Sequence, residues 1–272
     1  MTVQHLLKTA PVTTLLLISF VGLFAFQVYS GVDANEPTTE ALLHWGANAL
    51  PFTMGGEPWR LVTSAFLHIG LMHLLFNSFA MYFFGQVAEP ILGSAKFLAL
   101  FLLAAIGGNL LNSQVTWDAI LESGAQPGIS AGASGGIMGI GAALLIIALF
   151  KISVNGLQLN LKSLIIIMAI NLVYGFAVPG IDNAGHIGGA ITGIIIAAAF
   201  ALAYKFDPPI PNAYFDPVSK ITYYPSPTDS HKSKVSPWQY LPWAVIALIC
   251  LGFFGWWQSI HQQIIAALTM IN

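Results

Sequence analysis

The chain has 272 residues, of which 56% are hydrophobic and 7% charged, and its formal net charge is −2. Soluble domains carry roughly 25% charged residues, so this composition excludes an ordinary soluble globule and points to an all-α, polytopic membrane protein. Nucleic acid is not expected as a partner; the lipid bilayer is.

Seven apolar stretches follow one another at 12–29, 65–85, 97–111, 134–150, 164–178, 184–204 and 241–257. A span needs about 20 residues, so the shorter ones require a thin or protein-buried setting. The first stretch has the length of a true span and reads as an uncleaved helix rather than a signal peptide. The loop 30–64 carries an amphipathic patch, Ala41 to Trp45, and the pair Trp59-Arg60, a composition suited to the membrane interface. Between Lys205 and Pro237 the chain turns polar, with Pro208, Pro209, Pro211, Pro217, Pro225 and Pro227, and an extended linker is expected there. The division predicted is a six-helix core over 1–204, a Pro-rich linker over 205–237, and a seventh helix with a short tail over 238–272. The one cysteine, Cys250, lies in the last stretch, which excludes chemistry through a thiol pair.

Basic residues set the orientation. With the N-terminus cytoplasmic, eight of the nine Lys and Arg fall on the cytoplasmic side and only Arg60 falls outside, as the positive-inside bias requires. Seven spans then place the C-terminus outside, in what is expected to be a bacterial inner (cell) membrane.

Glycines recur at intervals of four, Gly135 and Gly139 in the fourth stretch and Gly185, Gly189 and Gly193 in the sixth. Small residues at that spacing let helices approach closely. Beside them stand Ser134, in Gly132-Ala133-Ser134-Gly135, and His186, in Asn183-Ala184-Gly185-His186. A hydroxyl becomes a nucleophile when an imidazole takes its proton. Helix rise supplies a check: Ser134, His186 and His73 lie 17, 19 and 16 residues from Lys151, Lys205 and Glu89, or roughly 25, 28 and 24 Å above one boundary at about 1.5 Å per residue. Asn77 lies one turn deeper on the face of His73. Polar groups at one level on three helices form a single water-accessible site opening outward, although each one alone is equally well read as an interhelical hydrogen bond. His68 is open to either reading. Asp182, at the loop edge, is expected to be solvated.

These motifs, with His68 to Asn77 on the second stretch, Trp59-Arg60, Glu89 and Gly93, resemble the rhomboid intramembrane serine proteases over about 58–204. The resemblance implies that Ser134 is the nucleophile and His186 the general base, without a carboxylate. His73, Asn77 and the Ser134 backbone N–H would serve as oxyanion donors. It also implies single-span transmembrane substrates entering beside the fifth helix, where 173–181, with Gly175, Pro179 and Gly180, would suit a mobile gate or simply end a helix. Two positions depart from the family's habit: Met138 stands where an aromatic ring commonly stacks on the histidine, and Gly185 where Ala is usual. No cofactor is expected, and no metal, since neither HExxH nor a carboxylate cluster occurs. The competing readings are a non-catalytic rhomboid-like protein that binds transmembrane clients and, further off, a transporter or haem protein, which lacks charged residues along a path.

Overall fold

The computed structural model describes residues 3–152, 159–177, 181–207, 214–216, 221–223 and 236–271. A short α1 (Val3–Thr9) leads into α2 (Pro11–Tyr29). Proline at the start of α2 gives up only an N–H that the helix cannot use. Glu89, buried to 1%, closes that first turn by accepting from Val12 N, Thr13 N and Thr13 Oγ1 at 2.7–2.9 Å and from Ser94 Oγ at 2.7 Å. A carboxylate satisfied in this way is favoured at a helix N-terminus. The two polar ends of α2 and α6 are thereby tied at one level.

The loop after α2 folds into α3 (Thr39–His44), α4 (Leu50–Met54) and α5 (Arg60–Thr63). Arg60 organises it by donating to Leu43 O at 2.7 Å and Ala47 O at 2.9 Å, and it pairs with Glu57 at 2.7 Å. Its guanidinium also lies over the Phe52 and Trp59 rings, so its charge is met on every side.

The apolar stretch 65–85 is not one continuous helix. Residues Arg60–Phe66 meet α6 (Leu71–Leu92) at 94°. Gly70 has φ +85, and a β-carbon there would run into the Asn35 carbonyl; Leu71 N is bound to Ala34 O at 2.8 Å. The break is therefore made by a glycine pressed against the preceding loop, and His68 falls within it rather than on the helix.

α7 (Ser94–Ser123) has 30 residues, twice the stretch expected, and ends at Gly124 in the left-handed conformation. α8 (Ser134–Leu149), α9 (Leu161–Ala177), α10 (Asn183–Phe206) and α11 (Leu241–Ile271) follow, the last also longer than expected. α8 is the central helix, packed against α6, α7, α9 and α10. Its Ile137, Ile140, Leu144 and Ile147 join Phe20, Met81, Phe97, Leu100 and Phe101 in one core. Large apolar side chains on α6, α9 and α10, such as Phe76, Phe79, Ile166 and Ile191, are exposed, as they are where lipid is the solvent. Among the described residues four helices are long and apolar enough to cross a membrane, and a fifth is counted when the bent pair is taken as one. The shorter α8 lies inside the bundle. The protein is an integral, multi-pass, helical membrane protein.

In the linker, where extended chain was expected, Tyr214–Asp216 (β1) and Ile221–Tyr223 (β2) pair antiparallel, and among the described residues the other elements are helices. Pro208, Pro209, Pro211, Pro217, Pro225 and Pro227 lie outside the described residues.

Candidate active site

α6, α8 and α10 all start at the same end of the bundle, and the site is made from their first turns. Ser134 is the first residue of α8, so its amide has no partner within the helix. The chain reaches it through Gly132, whose φ is +143. A β-carbon on Gly132 would sit 2.6 Å from His73 Cε1, 2.9 Å from His73 Nε2 and 3.6 Å from Asn77 Nδ2. Only glycine permits both that backbone and that approach. The turn before Ser134 is thus laid directly on His73 and Asn77. Gly132 N donates to Ser64 O at 2.9 Å, which holds the turn from behind.

The hydrogen bonds of His73 select its tautomer. Ile69 N donates to His73 Nδ1 at 3.2 Å, so in the neutral ring the proton is on Nε2, the atom facing the Gly132 turn. Asn77 is buried, and its Nδ2 has no partner in this structure. Two unspent donors therefore point at the turn that delivers Ser134. His68 is 1% exposed and packs its ring between Phe20, at 5.3 Å, and His73, at 5.5 Å. It backs His73 from the core side.

His186 is the fourth residue of α10, half-buried, with Nδ1 unpartnered. What brings α10 to α8 is the absence of side chains. A β-carbon on Gly189 would collide with the Gly135 carbonyl, and one on Gly193 with the Gly139 carbonyl; the position on Gly135 lies 3.3 Å from Gly185 O. The chain neighbours of Ser134 and His186 therefore face each other across a backbone-to-backbone contact. Glycine crowding is not confined to two helices, as the four-residue spacing suggested. Gly107 and Gly108 of α7 meet Thr192 and the Gly185 carbonyl in the same way, and Gly188 meets Gly107. Adjacent glycines lack the i, i+4 pattern, which is why α7 went unnoticed.

Asp182, expected to be solvated, is instead half-buried and caps α10: Gly185 N donates to its Oδ1 at 2.7 Å and Ser130 Oγ to its Oδ2 at 2.6 Å. An aspartate just ahead of an apolar run is a helix-start signal, and that signal could have placed it. Asn109 was also missed. It is buried in α7 and donates to Leu61 O at 2.9 Å and Ser64 Oγ at 2.8 Å. A lone amide within an apolar stretch was the available clue.

Asn109, Ser130, Ser134 and Asp182 line a small cleft together with Gly132, Gly135, Gly185, Ala105 and Gly108. Met138 is buried in the core one turn along α8 from Ser134. α9 ends at Ala177; Pro179 and Gly180 lie outside the described residues.

Residues 55–203 match the family model described as Rhomboid domain. The rhomboid protease GluP of Bacillus subtilis is 39% identical over 194 residues, 71% of this chain and 35% of GluP. RHOMBOID-like protein 1 of Arabidopsis thaliana is 31% identical over 87% of this chain and 57% of its own length. The rhomboid protease AarA of Providencia stuartii is 33% identical over 207 residues, 70% of this chain and 72% of AarA. The chain thus spans about a third of GluP and somewhat over half of the Arabidopsis protein. With the domain matched over more than half of the chain, and AarA matched over more than two thirds of both proteins, this chain belongs to the rhomboid family.

Proposed function

We propose that the protein is an intramembrane serine endopeptidase that cleaves single-span transmembrane proteins, with Ser134 as nucleophile and His186 as general base. The observation that carries this reading is the Gly132 turn laid on His73 Nε2 and Asn77 Nδ2 immediately before Ser134. Ser134 Oγ attacks the peptide carbonyl carbon while His186 takes its proton; the C–N bond breaks as the proton passes to the leaving amine, and water then hydrolyses the acyl-enzyme. His73 Nε2–H, Asn77 Nδ2–H and the free Ser134 N–H stabilise the oxyanion.

The six helices through Tyr204 form the catalytic core in this reading, the linker is cytoplasmic, and the Ser134 end of the bundle faces outside. The same basic-residue bias supports that topology, with Lys151 and Lys205 at the far ends of α8 and α10.

The test is labelling by a fluorophosphonate probe together with cleavage of a model single-span substrate in detergent. The wild-type protein is expected to do both, and Ser134→Ala and His186→Ala each to lose both. Intact substrate with retained binding would replace this reading with that of a client-binding protein.

A further inference from the structure

Glycine contacts set how far apart α8 and α10 lie, but smooth backbone surfaces do not fix how one helix slides or turns against the other. A polar tether can. Near the site such a hydrogen bond runs directly from the segment carrying the nucleophile to the cap of the helix carrying the histidine: Ser130 Oγ to Asp182 Oδ2, at 2.6 Å. Both partners stand four residues ahead of the residue they would control, Ser130 before Ser134 and Asp182 before His186.

Each end of the tether is itself fixed. The Ser130 backbone is bridged to Asn48 by two bonds, 2.8 and 2.9 Å, and the Asn48 side chain accepts from Thr53 Oγ1 at 2.7 Å, so the hydroxyl of Ser130 leaves a rigid base. On the other side, the second carboxylate oxygen of Asp182 accepts from Gly185 N at 2.7 Å, and His186 N donates to the Asp182 carbonyl at 3.1 Å. A single carboxylate thus orients the first turn of α10 with one oxygen and grips the nucleophile segment with the other. Gly185 provides the room, because a β-carbon there would press on this carboxylate.

We propose that the Ser130–Asp182 hydrogen bond is a latch that sets the register of Ser134 against His186, making both residues positioning residues for the proton transfer. The latch rests on the protease reading above. Proton transfer is steeply sensitive to placement, with a misplacement of about 1 Å costing up to about 100-fold.

The experiment uses the full chain in detergent and measures three quantities for each variant: the rate of Ser134 labelling by a fluorophosphonate, kcat and KM for a single-span substrate, and the thermal midpoint. Ser130→Ala removes the tether but leaves the cap. It is expected to lower kcat and the labelling rate about tenfold at unchanged KM and near-wild-type midpoint. Ser130→Thr, which keeps the hydroxyl, restores both rates. Asp182→Asn also keeps most of the rate, since its amide oxygen accepts from Gly185 N and its NH₂ donates to Ser130 Oγ. Ser130→Ala combined with Asp182→Ala is no slower than Asp182→Ala alone, as expected for partners in one interaction. A wild-type labelling rate in Ser130→Ala overturns the latch, as does a ranking of all variants by thermal midpoint rather than by the bond retained. If the wild-type protein is labelled but His186→Ala labels equally well, the protease reading fails and the latch fails with it.

Discussion

Two helix junctions meet near the Ser134 end of this protein, and they are built from opposite materials. Where α7, α8 and α10 converge, side chains are missing: Gly107, Gly108, Gly135, Gly139, Gly185, Gly188, Gly189 and Gly193 place backbone on backbone. Where α11 joins the rest, side chains make the contact: Ile260 is buried against Leu50, Met54, Leu61 and Leu110, and large polar-tipped side chains flank it. Trp256 Nε1 donates to Gln114 Oε1 at 3.2 Å, Trp257 Nε1 to Thr53 O at 3.1 Å, and Trp117 Nε1 to Gln263 Oε1 at 3.2 Å. His261 Nδ1 lies 2.6 Å from Met54 O, and since a carbonyl only accepts, that nitrogen carries the proton. Backbone contact has no rotamers to absorb a change, so an added atom in the glycine seam must move a whole helix. Aromatic anchors act at separate points, so losing one leaves the others in place.

The sharpest way to break the seam is Gly189→Ala. The new methyl would enter the Gly135 carbonyl, one residue from Ser134. Overpacking costs about 1–3 kcal/mol, and more where backbone opposes it. Loss of most Ser134 labelling by a fluorophosphonate and a clearly lowered thermal midpoint are expected together, because α8 and α10 must separate at the level of the site. Labelling at the wild-type rate would show that the seam does not set the site.

The α11 junction should yield more gently. Trp257→Phe removes the bond to Thr53 O, and His261→Ala removes both the bond to Met54 O and the stacking of the two rings at 5.2 Å. Hydrogen bonds between membrane helices average about 0.6 kcal/mol and reach about 1.7 kcal/mol. Each substitution is expected to lower the thermal midpoint modestly while the labelling rate at 25 °C stays within about twofold of wild type. A large fall in rate would show instead that α11 controls the site through α4.

How far these junctions could be read in advance follows from what each is made of. The long apolar helices were legible because a membrane demands long apolar runs, and the α8–α10 contact because Gly135, Gly139, Gly185, Gly189 and Gly193 repeat at the helical interval. That Ser134, His186 and His73 all stand near the starts of their helices could be read from where the apolar runs begin. Hydropathy does not report where a helix stops, however, and α7 continues past its apolar part to Ser123 with Gln114 and Trp117 bonded to α11. The break at Gly70 depends on the Asn35 carbonyl, 35 residues away, which no local pattern encodes. Asp182 was misplaced for a related reason: a carboxylate at a loop edge reads as solvated until its partner, Ser130, arrives from another segment. Ser134 and His186 were singled out by residue type, and the contacts between the segments that carry them, Gly135 against Gly185 and Ser130 against Asp182, were hidden because they are tertiary.

The smallest effect expected is also the cleanest contrast, since it uses the same change of residue as the largest. Gly252 and Gly255 lie on α11, and a β-carbon on either meets nothing within 4 Å. Neither has positive φ among the described residues, so alanine fits the helix they already form. Replacing glycine in a helix interior relieves a conformational cost of about 0.5–1 kcal/mol in water, and a helix already anchored through Trp257 and His261 gains only part of it. Gly252→Ala and Gly255→Ala should therefore leave labelling unchanged and the thermal midpoint equal or slightly raised. A fall in midpoint comparable to that of Gly189→Ala would mean that α11 presents its glycines to a close partner, and the division between a backbone seam and a side-chain junction would no longer hold. If the midpoint does not fall, the sensitivity to a single methyl maps the seam itself, separating the glycines that hold α8 against α10 from those that merely face lipid.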